Sequence, residues 1–210
     1  MKNIKIISFD IGNTLIRTGN EGFCKAFSIK TGLSFEELRP LFIAHFLTKK
    51  STLQDAVQKV CSIIGYKNPK KIIEEFQPSP VFLYDDTVPA LELLLRKKVT
   101  MIAISNCTPW EAGGIESCGL NKYLQRIYYS YDIGAAKPDP VIFQYVQKSV
   151  CVSPENILHV GDSCIADVEG AKAVGWQAVL LDRDNKSIGC DEVIREMPII
   201  SSLRELIRLI

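Results

Sequence analysis

The sequence lacks any uninterrupted apolar run approaching the ~18 residues of a membrane-spanning helix, so no membrane partner is expected. It also lacks an excess of charge of one sign. Lys and Arg number 25 against 24 Asp and Glu, a formal net charge of +1. Bulk electrostatics therefore give no reason to expect nucleic acid or an anionic surface. Its seven cysteines fall at 24, 61, 107, 118, 151, 164 and 190, an odd number with no Cys-x-x-Cys. That pattern argues against a zinc site and against a disulfide framework. Repeats and low-complexity tracts are missing as well. Met1-Lys2-Asn3 runs straight into a strand, which speaks against an export signal. Reduced thiols in a cytoplasm are the expectation. Cys107 and Cys164 lie beside the site described below, but neither has a base nearby in sequence to activate it.

What the chain does have is 210 residues, 47% hydrophobic and 23% charged. That suits one domain, or one domain with a small insert, and is long enough to bury a sizeable core. The organising stretch is Ile4-Lys5-Ile6-Ile7-Ser8-Phe9-Asp10-Ile11-Gly12-Asn13-Thr14-Leu15. A short β-branched run reads as a buried strand. It ends on Asp10 and is broken by Gly12-Asn13. In open α/β sheets the carboxyl ends of the strands are where ligands bind. Taken alone, Asp10 also reads as an ordinary turn residue.

Residues 16–84 change character. Glu21 to Lys30 reads helical. Ser34 with Glu37 forms a capping-box start, followed by a stripe of Leu38, Leu41, Phe42, His45 and Phe46. Thr52 opens a helix with Leu53, Ala56, Val57, Val60, Cys61 and Ile64 on its apolar face, and Gly65 ends it. Pro69 to Phe76 is a shorter helix, and Pro78-Ser79-Pro80 a hinge-like breaker. No clear strand is expected between 16 and 84. This region holds ten Lys or Arg and six Asp or Glu, net +4, so the remainder is net −3. A basic lid over an acidic site would suit an anionic substrate; each lysine also reads as part of a solvated helix face.

From residue 85 strand and helix alternate. Helices are expected at Thr87–Lys97, Trp110–Cys118, Val141–Ser149 and Cys164–Val174, with a last one capped by Ser202. Strands are expected at 99–104, Arg126–Ser130, 157–160 and Gln177–Leu181. Alternation of this kind argues for a parallel, Rossmann-like α/β sheet with right-handed crossovers.

Three later stretches repeat the grammar of the first. The run 99–104 ends in Ser105-Asn106. The run 157–160 ends in Gly161-Asp162-Ser163, with Asp167 five residues beyond Asp162. Between them lies Ala135-Ala136-Lys137-Pro138-Asp139-Pro140. Strand-end carboxylates, a hydroxyl–amide pair and one cation suit a divalent metal and a phosphoryl group. With four motifs in this order the chain resembles the haloacid dehalogenase-like hydrolases over essentially its whole length. The resemblance implies a core of residues 1–15 and 85–210 and a helical cap of 16–84. It implies cap–core crossings near Ile16–Thr18 and Pro78–Tyr84.

The resemblance also assigns roles. Asp10 is the nucleophile, forming an aspartyl-phosphate. Mg2+ is held by Asp10, Asp162 and the main-chain carbonyl of Gly12. Lys137 neutralises charge, and Ser105 with the Asn106 N–H binds phosphoryl oxygens. Asp167 and Thr14 stand behind these groups. Each has a plainer reading: Ser105 as a helix N-cap, Lys137 as a surface lysine, Asp167 as a first-turn carboxylate. His159, inside a strand, reads as a satisfied core residue.

One position departs from the family's pattern. Its phosphatases usually carry an aspartate two residues after the nucleophile, as general acid and base, where this chain has Gly12. Such a group contributes ~10²–10⁴-fold. Phosphonoacetaldehyde hydrolases resemble this pattern with alanine there, and some sugar-phosphate phosphatases with glycine. The implied function is a magnesium-dependent phosphomonoesterase acting on a small phosphorylated metabolite. The alternatives are phosphonate or haloacid hydrolysis, or a non-catalytic binder. Dehalogenases of this family need no metal and carry Ser-type residues in place of the fourth motif's Gly-Asp. Phosphonate cleavage would need a cap lysine.

Overall fold

The computed structural model describes residues 3–19, 22–184 and 197–210. Its centre is a six-stranded sheet. In chain order the strands are β1 (Ile6–Phe9), β2 (Ile16–Thr18), β3 (Val81–Leu83), β4 (Thr100–Ser105), β5 (Arg126–Tyr129), β6 (Ile157–Gly161), β7 (Gln177–Leu181) and β8 (Ile199–Ile200). The sheet order is β5-β4-β1-β6-β7-β8, and every neighbouring pair is parallel. β1 is central because its four residues are all buried, covered on both faces. β1 pairs with β4 on one side and β6 on the other, so the loops after all three open at one edge.

The helices are α1 (Phe23–Thr31), α2 (Phe35–Phe42), α3 (Leu53–Ile64), α4 (Pro69–Glu75), α5 (Thr87–Arg96), α6 (Ala112–Ser117), α7 (Ser130–Ile133), α8 (Pro140–Val150), α9 (Gly170–Ala173) and α10 (Leu203–Leu206). The local signals behave as their chemistry dictates. Ser34 and Glu37 close a full capping box. The Thr52 hydroxyl accepts from the Asp55 N–H, and Gly65 ends α3 in the left-handed region. Ser202 and Glu205 form a second box at α10. No helix among the described residues is long and apolar enough to cross a membrane.

Helices α1–α4 form an insert with its own core, built on Phe23, Phe27, Leu38, Phe42, Phe46, Val57, Val60 and Ile72. The stripe of the second helix runs on past α2 through a wider helical turn, Ile43–Leu47, which keeps Phe46 buried.

Several expectations need correction. The stretch 16–84 is not free of strands: β2 and β3 pair antiparallel at the two crossings. Each is three residues long and only Ile16 is buried, so neither shows an apolar run. Ser130 does not end β5 but opens α7. Cys164–Val174 splits into a wide turn, Cys164–Glu169, and α9. The short elements α7 and β8 had no sequence signal. Cys24, Cys61, Cys107, Cys118 and Cys151 are free thiols, whereas Cys164 is disulfide-bonded, against the expectation of reduced thiols throughout. Glu21 and Cys190 lie outside the described residues.

Candidate active site

Asp10 follows β1, Ser105 ends β4 and Asp162 follows β6, which puts the three at one sheet edge. A cavity of about 330 Å³ opens there. Its walls include Asp10, Gly12, Ser105, Asn106, Lys137, Asp162 and Asp167, seven of the eight residues picked from the sequence. Thr14 is the eighth. It is buried, and its hydroxyl has no hydrogen-bond partner among the described residues.

Lys137 is buried and its ammonium donates to Asp10 Oδ1 and Asp167 Oδ1, both at 2.6 Å. It is therefore not a surface lysine. Burial alone would lower its pKa; the two carboxylates outweigh that and hold it above the ordinary lysine range. Asn106 fixes where this side chain starts: its amide oxygen accepts from the Lys137 N–H and its amide nitrogen donates to the Lys137 carbonyl, each at 2.8 Å. Reading the sequence assigned Asn106 a phosphoryl contact through its main chain; its side chain positions the lysine.

Asp167 is buried behind the lysine. It accepts from the Ser163 N–H at 3.0 Å as well as from Lys137. Its carboxyl is held well below the usual range: burial opposes ionisation, but Lys137 and His159 outweigh it. A carboxylate only accepts, so His159 donates through Nε2, at 3.1 Å. His159 Nδ1 pairs with Ser8 Oγ at 2.9 Å, the residue opposite it in the β1–β6 register. His159 is a satisfied core residue, as expected, yet it reaches the site through Asp167. Gly161 makes this packing possible. A Cβ there would lie 2.2 Å from the Asp167 carboxyl carbon, so any larger residue displaces that side chain.

Asp10, Asp162 and Asp167 offer oxygens that all lie within 4.8 Å of one another. Burial pushes Asp10 up to about 6; Lys137 opposes this, and Asp167 and Asp162 add to it. Burial and Asp167 push Asp162 up to about 6 too, against a hydrogen bond from Asn13 and the charge of Lys137. Asp167 already has its cation. Asp10 and Asp162 carry negative charge that one lysine does not offset, and that donor set fits a hard divalent cation.

Residues outside the sequence reading complete the site. Asn13, at φ 54°, turns the loop and bonds Asp162. Arg183 donates to the carbonyls of Asn13 at 3.3 Å and Thr14 at 2.7 Å, and to both oxygens of Asp86 at 3.0 Å. It also lies 3.9 Å over the Tyr84 ring. Asp86 in turn accepts from the Ser202 hydroxyl at 2.7 Å and the Leu203 N–H at 2.8 Å. Burial, with nearby acids, raises the Cys107 thiol far above its ordinary range, which agrees with an inert thiol.

The insert meets the core beside the cavity. Trp110 packs edge-on against Phe23 at 5.1 Å and Phe46 at 5.7 Å. Lys50 pairs with Asp132 at 3.1 Å. Glu111 accepts from the Phe23 N–H, the first of α1, at 3.2 Å. Among the described residues lining the cavity, the one basic side chain is Lys137. The insert's described basic side chains do not line this cavity; Lys30, for one, pairs with Glu75.

Comparison with known proteins agrees with this architecture. A glyceraldehyde 3-phosphate phosphatase of Pyrococcus furiosus is 28% identical, covering 94% of this chain and 92% of the relative. The first curated relatives are matched over less: the chain spans 40%, 25%, 34% and 55% of their lengths. The crystal structure of a HAD phosphatase from Thermococcus onnurineus superposes with a TM-score of 0.64 at 25% identity, covering 98% of this chain and 97% of that one. A 2-haloacid dehalogenase from Pseudomonas syringae pv. Tomato superposes with a TM-score of 0.68 at 22% identity, over 98% and 97%, and shares the fold. The haloacid dehalogenase-like hydrolase model matches residues 4–175, more than half of the sequence and all four motifs, so the chain belongs to that family.

Proposed function

We propose that the chain is a magnesium-dependent phosphomonoesterase that acts on a small phosphorylated metabolite through an aspartyl-phosphate. The observation that carries this reading is the buried Asp10–Lys137 contact at 2.6 Å beside a second unneutralised carboxylate, Asp162, in one cavity. Asp10, Asp162 and the Gly12 carbonyl would hold the metal, which supplies charge neutralisation for an incoming phosphoryl group.

The chain's own residues account for the rest. An oxygen of Asp10 attacks phosphorus, a new P–O bond forms, and the ester P–O bond breaks with its electron pair leaving on the alcohol oxygen. Lys137, held in place by Asn106 and Asp167, steadies charge on Asp10 and on the phosphoryl oxygens. The Ser105 hydroxyl and the Asn106 N–H donate to those oxygens. Water then attacks phosphorus and loses a proton to solvent, matching the one the departing alcohol oxygen takes up from it; the Asp10–phosphorus bond breaks, and the carboxylate is restored with release of inorganic phosphate. The insert acts as the cap, shielding these steps from bulk water.

Two observations support this over the rivals. No cap lysine lines the cavity among the described residues, so a Schiff base for phosphonate cleavage has no donor. Gly161-Asp162 stands where dehalogenases resemble a Ser-type pattern. The P. furiosus relative, named for a small sugar-type phosphate, supports the substrate class. Turnover of an aryl phosphate is expected, lost on chelation and restored by Mg2+, and absent in a folded Asp10→Asn variant. Full activity in excess chelator would sink the metal, and an active Asp10→Asn protein would sink the nucleophile. A wild-type protein that binds phosphate but turns over nothing would leave a binder.

A further inference from the structure

A fourth carboxylate lines the catalytic cavity, outside the aspartate cluster: Glu111. Its Oε2 accepts from the Thr108 hydroxyl at 2.6 Å and its Oε1 from the Phe23 N–H at 3.2 Å. Each oxygen already accepts one hydrogen bond, which fixes the side chain in place at the cavity wall. The rest of the wall away from the aspartates is largely apolar, with Ile16, Pro78, Val81, Trp110 and Ile115. Lys137, the one basic side chain among the described lining residues, is committed to two aspartates.

A substrate brings one phosphoryl group for the Asp10 end. Its organic remainder then meets apolar surface and one negative charge, with no cation to pair with. Resting on the phosphomonoesterase reading, the geometry points to Glu111 as a charge filter. The cavity takes phosphate monoesters whose remainder is small and uncharged. It rejects those that carry a second anion, such as a carboxylate or another phosphate. Discrimination by an unfavourable contact with the wrong ligand needs no special contact with the right one. A second anion would lie beside the like charge of a half-buried Glu111, which disfavours it.

A matched pair of esters tests this: 4-(carboxymethyl)phenyl phosphate and its carboxamide, 4-(carbamoylmethyl)phenyl phosphate. They share size, and the methylene separates the varied group from the reacting oxygen. The carboxamide ester is expected to have the higher kcat/KM by about tenfold or more, the scale of one close like-charge contact. Raising ionic strength should shrink that ratio, because salt screens exposed charge. Glu111→Gln keeps an oxygen for the Phe23 N–H while removing the charge, and should bring the two esters close to parity. Equal kcat/KM in the wild-type protein overturns the proposal. So does a ratio that ignores both salt and Glu111→Gln; where that variant does not fold, the salt series decides. Failure to hydrolyse either ester overturns the phosphomonoesterase reading instead.

Discussion

Gly12 leaves open the space into which a side chain would grow: a Cβ there meets nothing within 4 Å. Gly12→Asp is therefore expected to fold. The wild-type protein, without an acid at this position, should show a steep dependence of rate on leaving-group pKa, with aryl and acyl phosphates ahead of alkyl ones. Gly12→Asp should flatten that slope and raise alkyl-phosphate turnover, by at most the ~10²–10⁴-fold a general acid supplies. A shallow slope in the wild-type protein would mean that another proton donor serves the leaving group. At this scale the sequence was most legible where a side chain sits next to its strand, as Asp10, Ser105 and Asp162 do. It was least legible where a partner is distant in the chain. Glu111 and Phe23 are 88 residues apart, and Arg183 and Asn13 are 170 apart. No local spacing encodes those contacts. His159 was legible as a core residue, but its link to Asp167 depends on how β1 and β6 register.

The ribbon of β2 and β3 is the element on which cap movement would turn. It joins the insert to the core by three paired residues on each side, and Tyr84 then bonds back to the Leu15 carbonyl. Pro78-Ser79-Pro80 leads into it. Opening must break the Glu111–Phe23 hydrogen bond and withdraw Trp110 from the insert's aromatic cluster. Amide exchange at Phe23 is therefore expected to slow when a phosphate mimic and Mg2+ hold the closed form. Exchange across residues 22–76 that ignores the mimic would count against a moving cap. The helices of the insert were readable because their apolar residues repeat at helical spacing and α2, α3 and α4 each start on a side-chain cap; α1, which opens on Gly22, has no such cap. β2, β3 and β8 were not, because two or three residues are too few to show a period of two.

Over the whole molecule, Asp10 and Asp162 tie stability to pH and to metal. Burial pushes both carboxyls up to about 6, above the ordinary aspartate value of 3.8. Between those values these two groups bind more protons in the folded chain than in the unfolded one, so their contribution to stability falls as pH rises through that window. Above about 6 both carboxylates are ionised and free for a cation, while below it protons compete with the metal. Mg2+ should then raise Tm clearly at pH 7.5 and little at pH 5; equal shifts at both would disconnect the metal from these two groups. A last consequence comes from Arg183 and Asp86, and it concerns how widely along the chain the support of one loop is spread. The loop after Asp10 is braced by Arg183, Arg183 is anchored by Asp86, and two of the donors to Asp86 come from Ser202 and Leu203. The loop after Asp10 therefore gains its full brace only when residues far along the chain, Ser202 and Leu203, are in place. Removing the two far donors by cutting the chain before Ser202 should leave the sheet around β1 assembled yet slow aryl-phosphate turnover; unchanged turnover would show that the loop needs no such remote support.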